Sequence, residues 1–176
     1  MSDLDRLWNG WRASYVTSGD DRGSDELPGS VFSRILASGR SDAQTNIVFR
    51  GHLCFAIMNA FPYGTGHTLV LPYREVSDLE ALDPAETAEL WPTVTDAVRA
   101  VKDACRPDGV NIGVNLGAAA GGSVREHLHV HVVPRWVGDG NFMTSVANAR
   151  TLPEPLVETA SKVRAAWPGS IGIADD

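Results

Sequence analysis

The chain has 176 residues, which is enough for one compact domain with a hydrophobic core and short for two. Its composition, 43% hydrophobic and 21% charged residues, excludes a disordered chain, and its net charge of −7 argues against a nucleic acid or an anionic membrane held by a basic surface. No apolar run approaches the roughly 20 residues of a membrane-spanning helix, and the acidic N-terminus lacks a signal-peptide pattern. We therefore expect a cytoplasmic protein.

The first 45 residues are predicted to form a short helix and a mobile loop that pack on the main body. Apolar residues recur near helical spacing between residues 4 and 16, which favours a helix. Residues 17–28 are rich in Gly, Ser and Asp, a composition typical of a loop.

Three short strands of an antiparallel meander are predicted between residues 46 and 72. Their sequences are NIVF, LCFAIM and HTLVLP, separated by a turn at Arg50 and Gly51 and by the turn-forming segment NAFPYGTG. Connections this short join antiparallel neighbours, because parallel strands need a much longer crossover.

A long helix follows, with Asp83 as the N-cap and Pro84 at the first helical position. Apolar residues at helical spacing continue it to residue 105, and Pro92 within it predicts either a kink or two helical pieces. Two further strands are predicted in VNIGVNL and HLHVHVV, and a last helix over residues 153–167. The elements predict an α+β fold in which about five antiparallel strands pack with two main helices. Its domain spans residues 46–143, and the C-terminal helix and tail span 144–176.

Three of the five histidines fall on the last predicted strand. Alternate side chains of an extended strand share a face, so His127, His129 and His131 are expected on one face and the intervening apolar residues on the other. A fourth histidine, His67, opens an earlier strand directly after Gly66. A purely structural role would bury adjacent imidazoles without partners, which is costly, so this face is predicted to carry chemistry.

Two chemical roles fit such a face. Histidines at i and i+2 can bind zinc in an open catalytic site, although Glu126 alternates to the opposite face and supplies no obvious carboxylate ligand. Alternatively, one imidazole attacks phosphorus while its second nitrogen is held by a hydrogen bond. The glycine-rich segment over residues 117–123 favours the second role, since its backbone N–H groups can approach phosphate oxygens closely.

With these residues in place, the chain resembles the histidine triad family of nucleotide hydrolases and transferases. The family signature, three histidines alternating with apolar residues, reads HLHVHVV here, and Asn59 and His67 in NAFPYGTGHTLVLP extend the match over residues 48–142. Within the family, NLGAAAGGSVREHLHVHVVPRWVGDGNF and an N-terminal LW..WR..Y pattern are most similar to the diadenosine tetraphosphate phosphorylases of actinobacteria. The common family pattern has glutamine where this chain has Ser123.

The resemblance implies that His129 attacks the α-phosphorus of a dinucleoside polyphosphate, which releases one product and leaves a nucleotidyl-histidine. Inorganic phosphate then cleaves this intermediate, so that diadenosine tetraphosphate and phosphate give ADP and ATP overall. It assigns His127 and His131 to orientation, phosphate contact and leaving-group protonation, and Asn59 to the ribose. His67 is expected to support the triad or a phosphate. The remaining predicted contacts are Phe55, Ile57 and Met58 around the base, and Asn115, Gly122 and Ser123 at the phosphates or leaving group.

The same resemblance implies nucleotide partners (AMP, ADP, ATP and the dinucleotide), phosphate, and a homodimer or homotetramer with sheets paired across the dimer. No permanently bound metal is expected, although Mg²⁺ can accompany the polyphosphate. Three alternatives stay open: a hydrolase of the same substrates, a nucleoside phosphoramidase, and a nucleotide-binding regulatory module without turnover.

Overall fold

Five antiparallel strands form one sheet in the computed structural model, which describes residues 28–121, 124–140 and 154–169. The strands are β1 (Ile47–Arg50), β2 (Cys54–Met58), β3 (Thr68–Pro72), β4 (Gly109–Val114) and β5 (Val130–Arg135). Their order in the sheet is β1-β2-β3-β5-β4, so the last strand lies between the third and the fourth. The predicted five-stranded antiparallel α+β fold is confirmed, and β1 to β4 begin and end within two residues of their predicted bounds.

The histidine strand is shorter than predicted, because β5 begins at Val130 and not at His127. The ladder between β3 and β5 ends at the pair Val70 and Val130. In the same register Pro72 would lie opposite Leu128, and proline has no N–H to continue the ladder. The amide of Leu128 instead donates to the carbonyl of Val76, at 2.6 Å.

Helix α3 (Pro84–Cys105) follows the predicted start signals. The Asp83 side chain accepts a hydrogen bond from the amide of Glu86 at 2.8 Å, and the Glu86 carboxylate accepts one from the amide of Asp83 at 3.0 Å, which is a capping box. The alternative of two helical pieces is wrong, since the helix runs through Pro92 without a break. Pro92 itself is exposed, while its neighbours Leu90 and Val94 are buried against the sheet and hold the helix in place.

The two faces of the sheet carry different partners. Val130 and Val132 point into a core shared with α3 and with helix α4 (Leu156–Ala165), which is shorter than the helix predicted over residues 153–167. The opposite face packs Phe55, Ile57, Leu69 and Leu71 against Phe32 of helix α1 (Val31–Ala37). Alternation along β5 therefore directs its odd-numbered residues, His131 among them, to the α1 side of the sheet.

Two short helices were not predicted, α1 (Val31–Ala37) and α2 (Asp42–Thr45). Both are too short for a convincing apolar period, but each has a serine N-cap whose side chain accepts a backbone N–H. The helix predicted over residues 4–16 lies outside the described residues, as does the loop predicted over 17–28 up to residue 27. In the described parts of the chain, no helix combines the length and the apolar character needed to cross a bilayer.

Candidate active site

A cavity of about 510 Å³ opens on the α1 side of the sheet, beside the histidine segment. Its volume lies within the range of small-molecule sites. One wall is apolar and comes from Val31, Phe32 and Ile35 of α1. The sheet supplies Ile57 and Leu69. The cavity is also lined by side chains with polar groups, namely Thr45, Asn46, Asn59, Tyr63, Asn115, His129 and His131.

His129 presents one nitrogen as a potential nucleophile. Its Nδ1 lies 2.7 Å from the backbone carbonyl of His127, and because a carbonyl only accepts, Nδ1 carries the proton of the neutral ring. Nε2 therefore holds the free lone pair. Burial lowers the pKa of His129 from its ordinary value of 6.5, so the ring is neutral at neutral pH. The arrangement satisfies the two requirements of an imidazole nucleophile, a fixed tautomer and an unprotonated second nitrogen.

His67 sets the tautomer of His131 through a hydrogen-bond relay. Nδ1 of His67 accepts the backbone N–H of Tyr63 at 3.0 Å and faces Nδ2 of Asn59 at 3.3 Å, so the His67 proton lies on Nε2. That Nε2 lies 2.9 Å from Nδ1 of His131, which must accept it. The neutral His131 ring then carries its proton on Nε2, at the cavity.

Asn115 lies at the end of this relay, with Nδ2 3.2 Å from Nε2 of His131. This Nε2 carries a proton and therefore needs an acceptor. Rotating the Asn115 carboxamide by 180° exchanges Nδ2 and Oδ1, so that Oδ1 accepts from His131. Burial, followed by the charge of His129, lowers the pKa of His131 to about 4. At neutral pH His131 is thus a neutral hydrogen-bond donor, suited to an oxyanion.

His127 is fully buried and is absent from the cavity wall. Its Nε2 donates to the carbonyl of Pro72 at 2.8 Å, and its Nδ1 lies 2.7 Å from Oγ of Ser30. Burial lowers the pKa of His127, which favours the neutral ring that these two bonds require. Both ring nitrogens are occupied, so the geometry supports an orienting role for this residue.

The other predicted contacts are distributed unevenly. Ile57 and Met58 line the cavity with Asn59, whereas Phe55 is fully buried and stacks on Tyr73 with ring centroids 5.1 Å apart. Phe55 shares a strand face with Ile57, but the ring of Tyr73 covers it, so Phe55 lies in the core and does not line the cavity. Gly122 and Ser123 lie outside the described residues, directly after Gly121 at the cavity wall.

Sequence reasoning missed the α1 wall and Tyr63. The spacing of Phe32 and Ile35 after the N-cap Ser30 is a helical signal that could have revealed the wall. The ring of Tyr63 lies 4.6 Å from that of His67 and 5.7 Å from that of His131, between centroids. Its contribution could not be read from sequence, because its backbone N–H sets the relay and every residue except proline has one.

This chain is similar to known proteins of a single family. The sequence profile of the HIT domain matches residues 40–137, more than half of the chain. The chain belongs to the histidine triad family. It is 42% identical over 167 residues to an AP-4-A phosphorylase of Mycobacterium tuberculosis, an alignment that covers 93% of this chain and 85% of that protein.

More distant family members include hydrolases and proteins of known structure. A bis(5'-adenosyl)-triphosphatase of Dictyostelium discoideum is 35% identical over 92 residues, covering 52% of this chain and 61% of that protein. A HIT-like protein of Bartonella henselae superposes with a TM-score of 0.65 at 30% identity, covering 78% of this chain and 96% of that one. A Zn-bound histidine triad protein of Mycobacterium smegmatis gives 0.63 at 29% identity, covering 78% and 92%.

The triad histidines of this family member do not converge on one point as metal ligands would. The nitrogens of His127 are used by Pro72 and Ser30, and Nδ1 of His129 is used by a carbonyl. Among the described residues, no three His, Cys, Asp or Glu side chains are grouped so that they could hold a metal ion. In the described residues, the nitrogens of His127 and Nδ1 of His129 are therefore engaged by separate protein partners.

Proposed function

We propose that this protein is a nucleotidyl transferase that converts diadenosine tetraphosphate and inorganic phosphate to ADP and ATP through a nucleotidyl-His129 intermediate. The observation that carries the proposal is the neutral His129 ring, with Nδ1 bound to a carbonyl and Nε2 free at the edge of a 510 Å³ cavity. Similarity to the AP-4-A phosphorylase over nearly the whole chain supports phosphate as the acceptor.

The cavity suits one adenosine monophosphate unit. Val31, Phe32 and Ile35 offer an apolar surface for the base, and Asn59 offers a carboxamide to the ribose hydroxyls. Oδ1 of Asn59 already accepts the backbone N–H of Phe61 at 2.9 Å, which fixes the orientation of this side chain. The α-phosphate of such a unit would then lie beside the two histidines at the cavity.

In the first step the lone pair on Nε2 of His129 attacks the α-phosphorus. A P–N bond forms, the bridging P–O bond breaks, and the electron pair leaves with ATP. The ring becomes cationic, and the carbonyl of His127 stabilises that charge through the Nδ1 proton. Nε2–H of His131 is positioned to donate to a phosphoryl oxygen, where negative charge increases.

In the second step an oxygen of inorganic phosphate attacks the same phosphorus. The P–N bond breaks, its electron pair returns to Nε2 of His129, and ADP is released. The added phosphate becomes the β-phosphate of ADP. We further propose that the glycine-rich segment with Gly122 and Ser123 contacts the phosphates, that Mg²⁺ enters only with the polyphosphate, and that the protein forms a homodimer or homotetramer.

Phosphate dependence is the direct test of this proposal. With diadenosine tetraphosphate and ¹⁸O-labelled phosphate, we expect equal amounts of ADP and ATP, with the label in the terminal phosphate of ADP only. Without phosphate, product formation should stop after one equivalent of ATP per site. AMP and ATP formed regardless of phosphate would identify a hydrolase, and nucleotide binding without products would identify a regulatory module.

The rate of the first half-reaction should keep its full value at neutral pH and fall only below pH 6.5. Burial lowers the pKa of His129 beneath the ordinary 6.5, so protons occupy Nε2 only in more acidic solution. The burst of ATP measured between about pH 5 and 8 tests this, and the titration of free phosphate does not affect it. An acid limb with a midpoint above 6.5 would contradict the assigned environment of His129.

A further inference from the structure

Three segments that are distant in sequence meet at the buried ring of His127. The carbonyl of Pro72 at the end of β3 accepts from Nε2, and the hydroxyl of Ser30 before α1 lies 2.7 Å from Nδ1. Both Ser30 and His127 are fully buried. Because the carbonyl fixes the proton on Nε2, Nδ1 can only accept, and the Ser30 hydroxyl must donate to it.

Ser30 also begins helix α1. Its Oγ accepts the backbone N–H of Ser33 at 3.1 Å, as an N-cap does. The same hydroxyl therefore donates to His127 and accepts from α1, and it links the cavity wall to the triad. Phe32, the second residue of the helix, places its ring 5.5 Å from both the His127 and the His129 rings, between centroids.

The carboxylate of Glu75 also binds Ser30 and the first turn of α1. Its Oε2 accepts the backbone N–H of Ser30 and the hydroxyl of Ser33, each at 2.6 Å. These bonds, the one to the Ser30 backbone first, lower the pKa of Glu75, so the carboxylate is charged at neutral pH. Glu75 comes shortly after Pro72, the last residue of β3. The bond from Ser30 to Glu75 and the bond from His127 to Pro72 therefore attach Ser30 and His127 to the same end of β3.

We propose that Ser30, supported by Glu75, is a positioning residue for the nucleophile. It orients the His127 ring, and with it the His127 carbonyl that fixes the tautomer and direction of His129. The inference rests on the proposed function of His129, because it states how that residue is held. Neither Ser30 nor Glu75 lines the cavity, so both act through other residues and neither touches a substrate.

Three replacements of Ser30 separate this role from simple helix capping. Ser30→Ala removes both the cap and the bond to His127. Ser30→Gly also removes the hydroxyl, but glycine caps helices nearly as well as serine. Ser30→Thr keeps both interactions. Glu75→Ala tests the supporting carboxylate, and Ser38→Ala, an exposed serine at the other end of α1, is the matched control.

We expect Ser30→Ala and Ser30→Gly to slow the single-turnover release of ATP about tenfold, since small misplacement of a nucleophile is costly. The KM should change less than about threefold, because the cavity lining is kept. Glu75→Ala should slow the reaction about threefold by the same route. Ser30→Thr and Ser38→Ala should behave like the starting protein.

Imidazole ¹⁵N spectra give a second readout that does not depend on turnover. Loss of the Ser30 hydroxyl should shift the Nδ1 signal of His127 and broaden or shift the Nδ1–H signal of His129. A Ser30→Gly protein whose His129 Nδ1–H signal and single-turnover rate are both unchanged would overturn the proposal and leave Ser30 as a cap. If the starting protein forms no nucleotidyl-histidine, the proposed function fails, and the two ¹⁵N signals still decide whether Ser30 positions His129.

Discussion

Replacing His129 by alanine should reduce ADP and ATP formation by at least about a thousandfold. The replacement removes Nε2, the atom that is expected to form the covalent bond to phosphorus. No neighbouring nitrogen can substitute for it, because Nε2 of His131 carries a proton and both nitrogens of His127 are occupied. Chromatographic product analysis under saturating substrate and phosphate measures the loss.

Binding should survive the same replacement, since Val31, Ile35 and Asn59 are retained at the cavity and the loss at the apolar wall is the contact between the Phe32 and His129 rings. We expect the Kd for AMP, measured by calorimetry, to change less than about fivefold. His52→Ala is the matched control, because His52 is exposed in the turn before β2, and its turnover should equal that of the starting protein. Turnover by His129→Ala within tenfold of the control would exclude the covalent mechanism.

Elements with local signals were predictable from the sequence. Asp83 and Pro84 fix the start of α3 by capping and by a preset backbone angle, and no distant contact is needed. Helices α1 and α2 are different, because seven and four residues give too few turns for an apolar period to appear. Their stability comes from packing and from their serine caps.

The sequence predicted which histidines form the candidate site better than it predicted what each of them does. Strand alternation correctly placed His131 away from Val130 and Val132, but it treated His127 and His129 as parts of the same strand. The break at Val130 depends on Pro72 of a different strand, which a pattern within one segment cannot reveal. The exclusion of Phe55 from the cavity likewise depends on Tyr73, a tertiary contact.

The direction of hydrogen-bond donation in the relay at His131 depends on tertiary contacts, which the sequence does not show. The backbone N–H of Tyr63 can donate and cannot accept, so it determines where the protons of His67 and then of His131 lie. The sequence alone leaves two roles open for His67, support of the triad or contact with a phosphate. The geometry favours support, since His67 is fully buried and absent from the cavity wall.

Removal of His67 should therefore damage both stability and turnover. His67→Ala deletes a fully buried ring, and with it the donor to Nδ1 of His131 and the nitrogen that accepts the N–H of Tyr63. We expect the free energy of unfolding, from urea titration, to fall by about 2–4 kcal/mol. Turnover should fall about a hundredfold, because His131 loses the donor that fixes its tautomer.

Two amide replacements of His67 separate the relay from packing. The carboxamide of glutamine reaches about the position of the His67 Nε2, so it can donate a hydrogen bond to His131. The shorter carboxamide of asparagine ends near the position of Nδ1, so it can accept from the Tyr63 N–H and cannot reach His131. Both should cost similar stability, yet His67→Gln should retain about tenfold more turnover than His67→Asn. Equal turnover in the two variants would mean that His67 supports the site by filling space, and that the proton on Nε2 of His131 is set by the substrate.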